Sequence, residues 1–199
     1  MVAVPPLTRK EQLARTRERL LDATVECLVT FGHAHTTTQR IQDAAGLSRG
    51  ALLHHFGSKT DLLVAAIHHI AEIRLVAITR TLEELEDEPG SLRRLVAMIR
   101  EAMAGPPFQA ALELWAASRT DVQLREALLP AERRLGAALR EMFHRHADIA
   151  DPDDEAIAFE SLMALVRGLE LTRNMRATPD VADRVVEAWL AEVEHRRGA

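Results

Sequence analysis

The densest group of side chains able to contact a ligand lies in the segment 36–59, TTTQRIQDAAGLSRGALLHHFGSK. This segment supplies hydroxyl groups, imidazoles and cations, and it contains two short helical patterns separated by Gly46. Two short helices joined by a tight turn present the second helix outward. The most common use of such a unit is to enter the major groove of DNA. The sequence therefore predicts a unit that reads DNA.

The first helix of this unit is predicted to run from about residue 37 to 45. Thr36 and Gln39 have the spacing of a capping box, so Thr36 is expected to cap the helix. Free amide groups and the helix dipole at the same end favour a phosphate. Ile41, Ala44 and Ala45 are predicted to form its packed face.

The second helix is predicted over 49–56, with Ser48 as its cap. At about 100° per residue, Leu52 and Phe56 point in nearly the same direction, which is the expected core direction. The first turn, from Arg49, then faces outward, and its guanidinium can reach a guanine edge or a phosphate. An exposed helix with incidental histidines is the alternative. For Arg15, Arg17 and Arg19 the sequence likewise leaves two interpretations open, a solvated face or contacts with phosphates.

A second pattern with possible chemistry is the pair of Glu-x-x-His motifs at Glu141…His144 and Glu192…His195. Bundled helices in di-iron carboxylate proteins use this spacing, but they also need a Glu from each of two further helices. Both histidines here lie near predicted helix ends. We therefore predict no metal site, no cofactor and no catalytic residues, and a helical metal-carboxylate oxidoreductase or storage protein remains an alternative function. No P-loop, paired cysteines or H-E-x-x-H pattern occurs.

Charge is distributed unevenly along the chain. Residues 1–60 carry eight Lys or Arg against five Asp or Glu, an excess of three positive charges. The whole chain has a formal charge of −5, so residues 61–199 have an excess of eight negative charges. A basic end on an acidic body is expected when that end contacts phosphates.

Besides the metal-carboxylate protein, a helical adaptor that does not bind DNA is a second alternative function for this chain.

Apolar residues recur at three- and four-residue spacing through most of the chain, which predicts an all-α fold. Gly32 is expected to end the first helix, and a long helix beginning near Ser58 is expected to connect the N-terminal unit to the body. Predicted helices cover approximately 9–31, 37–45, 49–56, 58–86, 91–103, a segment from 108, 120–146, 151–176 and 178–197. The predicted domains are a disordered arm at 1–8, a helix-turn-helix domain at 9–70, and an effector-binding and dimerisation domain at 71–199.

A single cysteine, Cys27, excludes an intrachain disulfide and suits the cytosol. It lies on the apolar stripe of the first helix and is predicted to be a core residue. No apolar run reaches the roughly 18 residues of a membrane span. We therefore expect a cytoplasmic protein without a membrane partner.

The residues Gly32, Thr36-Thr37, Ile41, Ala45-Gly46-Leu47-Ser48, Gly50, Leu52, His55-Phe56 and Ser58-Lys59 stand in an order that resembles the DNA-binding domain of the tetracycline-repressor-type (TetR) family of bacterial transcription regulators. The resemblance covers about residues 15–70. It implies a ligand-responsive repressor that binds double-stranded DNA as a homodimer. The DNA contacts it implies are Thr36, Thr37, Thr38, Arg49, Gly50, Ala51, Leu53, His54, His55 and Lys59.

Two positions depart from the family pattern. Gln42 stands where the family usually has alanine. Leu53 stands where it usually has a tyrosine that bonds a phosphate, and leucine cannot make that bond.

The body of the chain is predicted to form the dimer and to bind a small hydrophobic effector. The last two helices are apolar over more than one stripe, so they need a partner as well as a core; one larger monomer core is the alternative. Expected dimer residues are Leu165, Leu169, Val185, Trp189 and Val193. Expected pocket residues, each also interpretable as core packing, are Met98, Met103, Phe108, Leu112, Glu113, Trp115, Met142, Phe143, Phe159, Met163 and Arg167.

Overall fold

The computed structural model describes residues 8–84, 91–175, 178 and 180–197, and all regular structure in these ranges is helical. The all-α prediction is therefore confirmed, including five helices after the long connecting helix. The helices are α1 Arg9–His35, α2 Thr38–Ala45, α3 Arg49–His55, α4 Lys59–Glu84, α5 Ser91–Ala102, α6 Pro106–Ser118, α7 Val122–Ala147, α8 Pro152–Leu171 and α9 Asp180–Arg197. A 3-10 turn, Arg173–Met175, follows α8. The predicted arm, except Thr8, and the predicted end of the long helix at residue 86 fall outside the described residues, as does residue 179 near the start of the last predicted helix.

The helices form two compact units. The first comprises Met1–Glu72 with Gln109–Ala131, and the second comprises Ile73–Phe108 with Glu132–Ala199. Helix α4 passes from one unit into the other at residue 72. The domain boundaries expected from the sequence stay a prediction.

The core of the first unit is built from the apolar faces of α1 to α4. Leu20 and Cys27 of α1 pack in one cluster with Ile41 of α2 and Leu52 of α3, and each is at most 1% exposed. Burial raises the pKa of the Cys27 thiol, so the group stays protonated and apolar. The prediction that Cys27 is a core residue is confirmed.

Gly32 breaks α1 and turns the chain toward α2. Its φ of 72° and ψ of 168° are accessible to glycine and very unfavourable for other residues. The Thr36 hydroxyl donates to the Gly32 carbonyl at 2.8 Å, and its backbone N–H donates to the same oxygen. The expectation that Thr36 caps α2 is therefore wrong, because Thr36 is fully buried and satisfies the end of α1. Thr37 caps α2 instead and accepts from the Arg40 N–H.

Other caps and faces differ in detail. Ser58 accepts from the Asp61 N–H at 3.0 Å, as expected for the start of α4. Asp121 caps α7 by accepting from the Leu124 N–H, so this helix begins at Val122 rather than at the predicted residue 120. Helix α8 ends at Leu171, earlier than the predicted residue 176.

On α2 the packed face consists of Ile41, Gln42 and Ala45, whereas Ala44 is exposed. The expectation for Ala44 was wrong because this short helix is rotated to bring the aliphatic part of Gln42 inward. Gln42, at 7% exposure, thus occupies a core position.

The core of the second unit is formed by α5, α7, α8 and α9. Buried side chains from all four contribute, namely Leu95, Ile99, Met142, Phe143, Phe159, Leu162, Val186 and Leu190. Asp151 caps α8 and accepts from the N–H groups of Asp153 and Asp154, which confirms the predicted start of that helix. None of the helices within the described ranges combines the length and apolar character of a membrane span.

Replacing Gly32 with alanine is expected to lower the free energy of unfolding by about 1–3 kcal/mol, because the backbone conformation is nearly exclusive to glycine. A new Cβ would also lie 3.0 Å from the Glu113 carboxylate. Gly46→Ala is the comparison, since Gly46 is left-handed (φ 61°) but has only ordinary contacts. Urea denaturation should rank Gly32→Ala as the less stable variant, and equal stability would contradict this account of the corner.

Candidate nucleic-acid interface

Helix α3 has one buried and one exposed face. Leu52 and Phe56, its C-terminal cap, are at most 5% exposed, as the helical spacing predicted. Arg49, Gly50 and His54 are exposed. The Ser48 hydroxyl accepts from the Ala51 N–H at 3.2 Å and fixes the start of the helix. An exposed glycine in the first turn allows a close approach to another surface.

The remaining predicted DNA contacts lie around α3, with one exception. Thr37 is exposed at the start of α2, while Thr38, His55 and Lys59 are half-buried. Thr36 is fully buried, with its hydroxyl directed to the Gly32 carbonyl. It has no surface with which to meet a phosphate, so we remove it from the contact set.

Arginines hold the elements of this surface in place. Arg19 donates from Nη2 to the Ala45 carbonyl at 2.6 Å and so ties the end of α2 to α1. The Arg17 guanidinium lies 5.4 Å from the centre of the Phe56 ring. Of the basic residues left open by the sequence, Arg19 thus has a structural contact and Arg17 brings positive charge beside α3.

Arg40 is an exposed cation on α2 that the predicted contact set lacked. Its guanidinium lies 4.2 Å from the centre of the Phe31 ring, and Nη1 donates to the His35 carbonyl at 3.0 Å. The sequence could have identified Arg40 from its position three residues after the Thr37 cap, because that spacing places it in the exposed first turn of α2.

The two histidines at the end of α3 stack edge to face, with ring centres 5.5 Å apart. Burial lowers the pKa of His55, and the nearby His54 and Arg17 lower it further. The His55 imidazole is therefore neutral at neutral pH and can act through a hydrogen bond rather than through charge.

Leu53 is 50% exposed. It belongs to the outward side of α3, at the position where the resembled family places a phosphate-binding tyrosine. The structure therefore leaves an apolar side chain available at this point of the surface.

Residues 46–50 read Gly-Leu-Ser-Arg-Gly, which also matches the Gly-x-Ser-x-Gly pattern of hydrolase nucleophile elbows. That elbow requires a strand before the serine. Here α2 comes before Ser48, and the Ser48 hydroxyl accepts from the Ala51 N–H. The pattern is a helix cap in this chain.

The first Glu-x-x-His motif has different neighbours from those of a metal site, and both residues of the second, Glu192 and His195, are exposed. Glu141 pairs with Arg145 at 2.8 Å, and His144 pairs with Glu155 at 2.9 Å. The hydrogen bond to Glu155 raises the pKa of His144. Among the residues that the structure describes, no three His, Cys, Asp or Glu side chains come together as a metal would require.

The predicted pocket residues separate into different surroundings. Those buried in the second unit are Met103, Phe108, Met142, Phe143, Phe159 and Met163, while Met98, Leu112, Trp115 and Arg167 are half-buried. Glu113 is exposed in the first unit, where its carboxylate accepts from the His33 N–H at 3.1 Å. Glu113 thus supports the corner after Gly32, and its role as an anchor for an effector has no support from this contact.

The second unit contains an open groove of about 480 Å³ and a much smaller cavity of about 10 Å³. Of the predicted pocket residues, Met103 lines both, and Met98 and Met142 line the cavity. The other residues of the groove come mostly from α5, α8 and α9, and none of them was a predicted pocket residue. Leu169 is among them, although the sequence assigned it to the dimer surface.

The predicted dimer residues also differ in exposure. Val185 is 37% exposed, and Leu165, Leu169 and Trp189 are half-buried. Val193 is 3% exposed and belongs to the chain's own core. The Trp189 Nε1–H donates to the Ser161 hydroxyl at 2.9 Å.

This helix-turn-helix unit, followed by a helical body, matches known proteins. Residues 20–66 match the family model for bacterial regulatory proteins of the tetR family. HTH-type transcriptional regulator BetI 2 of Chromohalobacter salexigens is 31% identical over 181 residues, which are 88% of this chain and 84% of the relative. The chain therefore belongs to the tetR family of bacterial regulatory proteins, a family of helix-turn-helix transcriptional regulators.

Two further similarities concern a curated relative and the fold of a solved structure. An uncharacterized HTH-type transcriptional regulator of Mycobacterium bovis is 29% identical over 121 residues, 61% of this chain; the match spans 62% of that relative's length. A protein of Saccharomonospora viridis, solved in complex with choline, has the same fold with a TM-score of 0.70. It is 20% identical, and the match covers 92% of this chain and 97% of that one.

Leu53→Tyr is expected to strengthen binding to DNA from beside the protein's own gene by roughly threefold to tenfold, since a neutral hydrogen bond contributes about 0.5–1.5 kcal/mol. The slope of affinity against salt should stay unchanged, because no charge is added. Leu53→Phe is the matched control, with the ring but without the hydroxyl. A gel-shift titration in which both variants gain equally would contradict a hydrogen bond to phosphate.

Proposed function

We propose that this regulator binds a near-palindromic DNA site as a homodimer and represses transcription until a small molecule releases it. The observation that carries the proposal is the two-sided α3, with Leu52 and Phe56 buried and Arg49, Gly50 and His54 exposed. Such a helix is held rigidly on one side and free to enter a major groove on the other. A dimer bound at a promoter excludes other proteins from it, which is the simplest route to repression.

The proposed contacts fall into two kinds. Arg49 reads a base edge or a phosphate, with His54 and the small residues Gly50 and Ala51 beside it. Thr37, Thr38 and Lys59 contact the backbone, with Arg17 and Arg40 as further cations. Leu53 contributes an apolar contact, and His55 a hydrogen bond. The net charge of the chain is negative, so affinity depends on this local cluster rather than on the whole surface.

One α3 supplies few base contacts, so a second copy is needed for affinity and for specificity. Two copies in a symmetric dimer read half-sites in successive major grooves, about 34 Å apart. This requirement makes the dimer surface part of the DNA-binding function.

Helix α8 offers a surface for the second copy that the sequence did not identify. Ile157, Ser161, Ala164, Gly168 and Leu171 are all exposed and follow each other at alternating spacings of four and three residues. They therefore lie on one side of the helix. Ile157 and Leu171 are 62% and 64% exposed, and nothing lies within 4 Å of a Cβ built on Gly168. Small residues between large apolar ones allow a partner helix to approach closely.

Helix α9 carries a matching exposed row at Val181, Val185 and Ala188. We propose that the rows on α8 and α9 together form the contact with the second copy, as two helices from each subunit of a four-helix bundle. Compared with the residues expected from the sequence, Val185 remains in this surface. Val193 leaves it because its side chain is already buried.

The direct test of DNA binding is a gel shift with duplex DNA from beside the protein's own gene. Arg49→Ala should weaken binding by about tenfold to a hundredfold, because charged hydrogen bonds contribute about 1.5–3 kcal/mol. Arg133→Ala removes the same charge from an exposed position on α7 and should leave binding nearly unchanged. Equal affinities for wild type and Arg49→Ala would refute the assignment of α3, and no binding at all would favour the adaptor alternative.

Gly168→Arg is expected to convert the dimer to a monomer at micromolar concentration, because two bulky cations would meet in the surface between copies. Gly136→Arg is the matched control: Gly136 also lies in a helix with nothing within 4 Å of a built Cβ. Light scattering coupled to gel filtration measures both. A wild-type monomer, or a Gly168→Arg variant that remains dimeric, would overturn the proposed surface.

A further inference from the structure

The second unit buries an arginine that plays no part in the proposed DNA contacts. Arg74, in the second half of α4, is 5% exposed. Arginine is almost never buried to this degree unless it is paired. The Glu132 carboxylate lies 3.4 Å from its Nη1, and the guanidinium is 5.2 Å from the centre of the Phe108 ring.

The Arg74–Glu132 contact is longer than the roughly 2.7–2.9 Å of a well-formed charge-assisted hydrogen bond. Burial lowers the pKa of Arg74; Glu132 opposes this effect, and Arg167 lowers the pKa further. Two guanidinium groups therefore repel each other in a poorly solvated region. An additional carboxylate would be favoured at this place, and an additional cation disfavoured.

Arg74 forms the polar part of the wall of the small cavity. The other walls are apolar and include three methionines, Met98, Met103 and Met142. A volume of about 10 Å³ corresponds to no more than a single water. Methionine side chains are long, unbranched and adaptable, so a wall made of them can rearrange around a ligand.

The open groove is much larger than the small cavity. Its volume of about 480 Å³ is within the range of small-molecule sites. Apolar residues from two helices, Val166 and Leu169 of α8 and Ala97 of α5, line part of it. Of its own arginines, Arg100 pairs with Asp183 at 2.7 Å, and Arg173 has a half-exposed side chain 3.7 Å from Glu170, whereas Arg74 is buried.

Met103 lines both spaces and is 3% exposed. Its side chain therefore forms part of the wall of the groove and of the cavity that Arg74 lines. Rotation of this one flexible side chain would connect the two spaces and make the buried guanidinium accessible to a molecule seated in the groove.

We propose that the groove and the cavity are two parts of one effector site, and that the effector is an amphipathic carboxylate whose anionic head binds Arg74. Its apolar part lies along Met103 and the groove residues Val166 and Leu169. This inference rests on the proposed function, because it names the chemical class of the molecule that releases the regulator from DNA. It also distinguishes this chain from the S. viridis protein, whose bound choline is a cation.

The binding test uses the purified full chain without DNA and straight-chain carboxylates from hexanoate to tetradecanoate, each paired with the alcohol of the same length and compared with choline. Isothermal calorimetry should show that at least one carboxylate binds about tenfold to a hundredfold more tightly than its alcohol, as expected for a hydrogen bond to a charged group. No carboxylate binding, equal affinity for carboxylate and alcohol, or a preference for choline would overturn the inference.

Two variants locate the charge. Glu132→Gln should bind the carboxylate more tightly, by roughly threefold to tenfold, because it removes an anion that competes for Arg74 at the same site. The double variant Arg74→Gln with Glu132→Gln removes the cation without leaving the Glu132 carboxylate buried and unpaired. This double variant should no longer prefer the carboxylate over the alcohol. Arg133 is an exposed cation of α7, and Arg133→Ala should change neither the affinity for the carboxylate nor its preference over the alcohol. A double variant that still prefers the carboxylate would overturn the assignment to Arg74.

Failure of this inference can be separated from failure of the proposed function. A protein that shifts DNA in an Arg49-dependent manner but binds no carboxylate would retain the proposed DNA-binding function and lose the effector assignment. Conversely, Arg74-dependent carboxylate binding without any DNA shift would retain the effector site and contradict the regulator. The carboxylate that binds most tightly should also dissociate the protein–DNA complex, and failure to do so would remove its role as an effector.

Discussion

The short helix α3 depends on the core beneath it. Seven residues are too few for a stable isolated helix in water, because nucleation costs more than so few hydrogen bonds return. Leu52 and Phe56 anchor it in a cluster that also contains Leu20 of α1 and Ile41 of α2. Ser48 caps one end, and Arg17 lies against the Phe56 ring at the other. The outer face can therefore carry side chains chosen for recognition, since none of them is needed to hold the helix.

The corner of the chain between α1 and α2, which leads toward α3, is also held by specific contacts. Gly32 reverses the chain at the end of α1, and Thr36 fills the corner with its hydroxyl on the Gly32 carbonyl. Glu113 accepts from the next backbone N–H, at His33. A threonine and a carboxylate that the sequence suggested for ligand contacts are thus used for geometry. Their polar groups satisfy backbone atoms at a turn, where helical hydrogen bonds are interrupted.

In the second unit, the residues that point to function are those that depart from the usual placement of apolar residues inside and charged residues outside. Arg74 is a buried charge among methionines, and Gly168 and Ala164 are small residues in an exposed row. Helical spacing identifies large apolar side chains, but it does not show whether the chain's own core or a second copy buries them. It therefore assigned Val193 to the dimer surface, although Val193 is buried in the chain's own core. A surface for a second copy instead contains the apolar and small residues that remain exposed in one chain.

The sequence by itself determined the helical class, the number of helices after α4, and the orientation of α3. Each follows from local periodicity and turn residues, which act over a few positions: Gly46 ends α2, Ser48 starts α3, and Leu52 and Phe56 recur on one side. Only the tertiary structure decided which threonine faces solvent, where Glu113 binds, and that Arg74 and Met103 adjoin the same cavity. These properties depend on contacts between residues far apart in the chain, such as the 80 positions that separate His33 from Glu113. Local spacing carries no information about such contacts, because the same pattern of side chains is compatible with several packings.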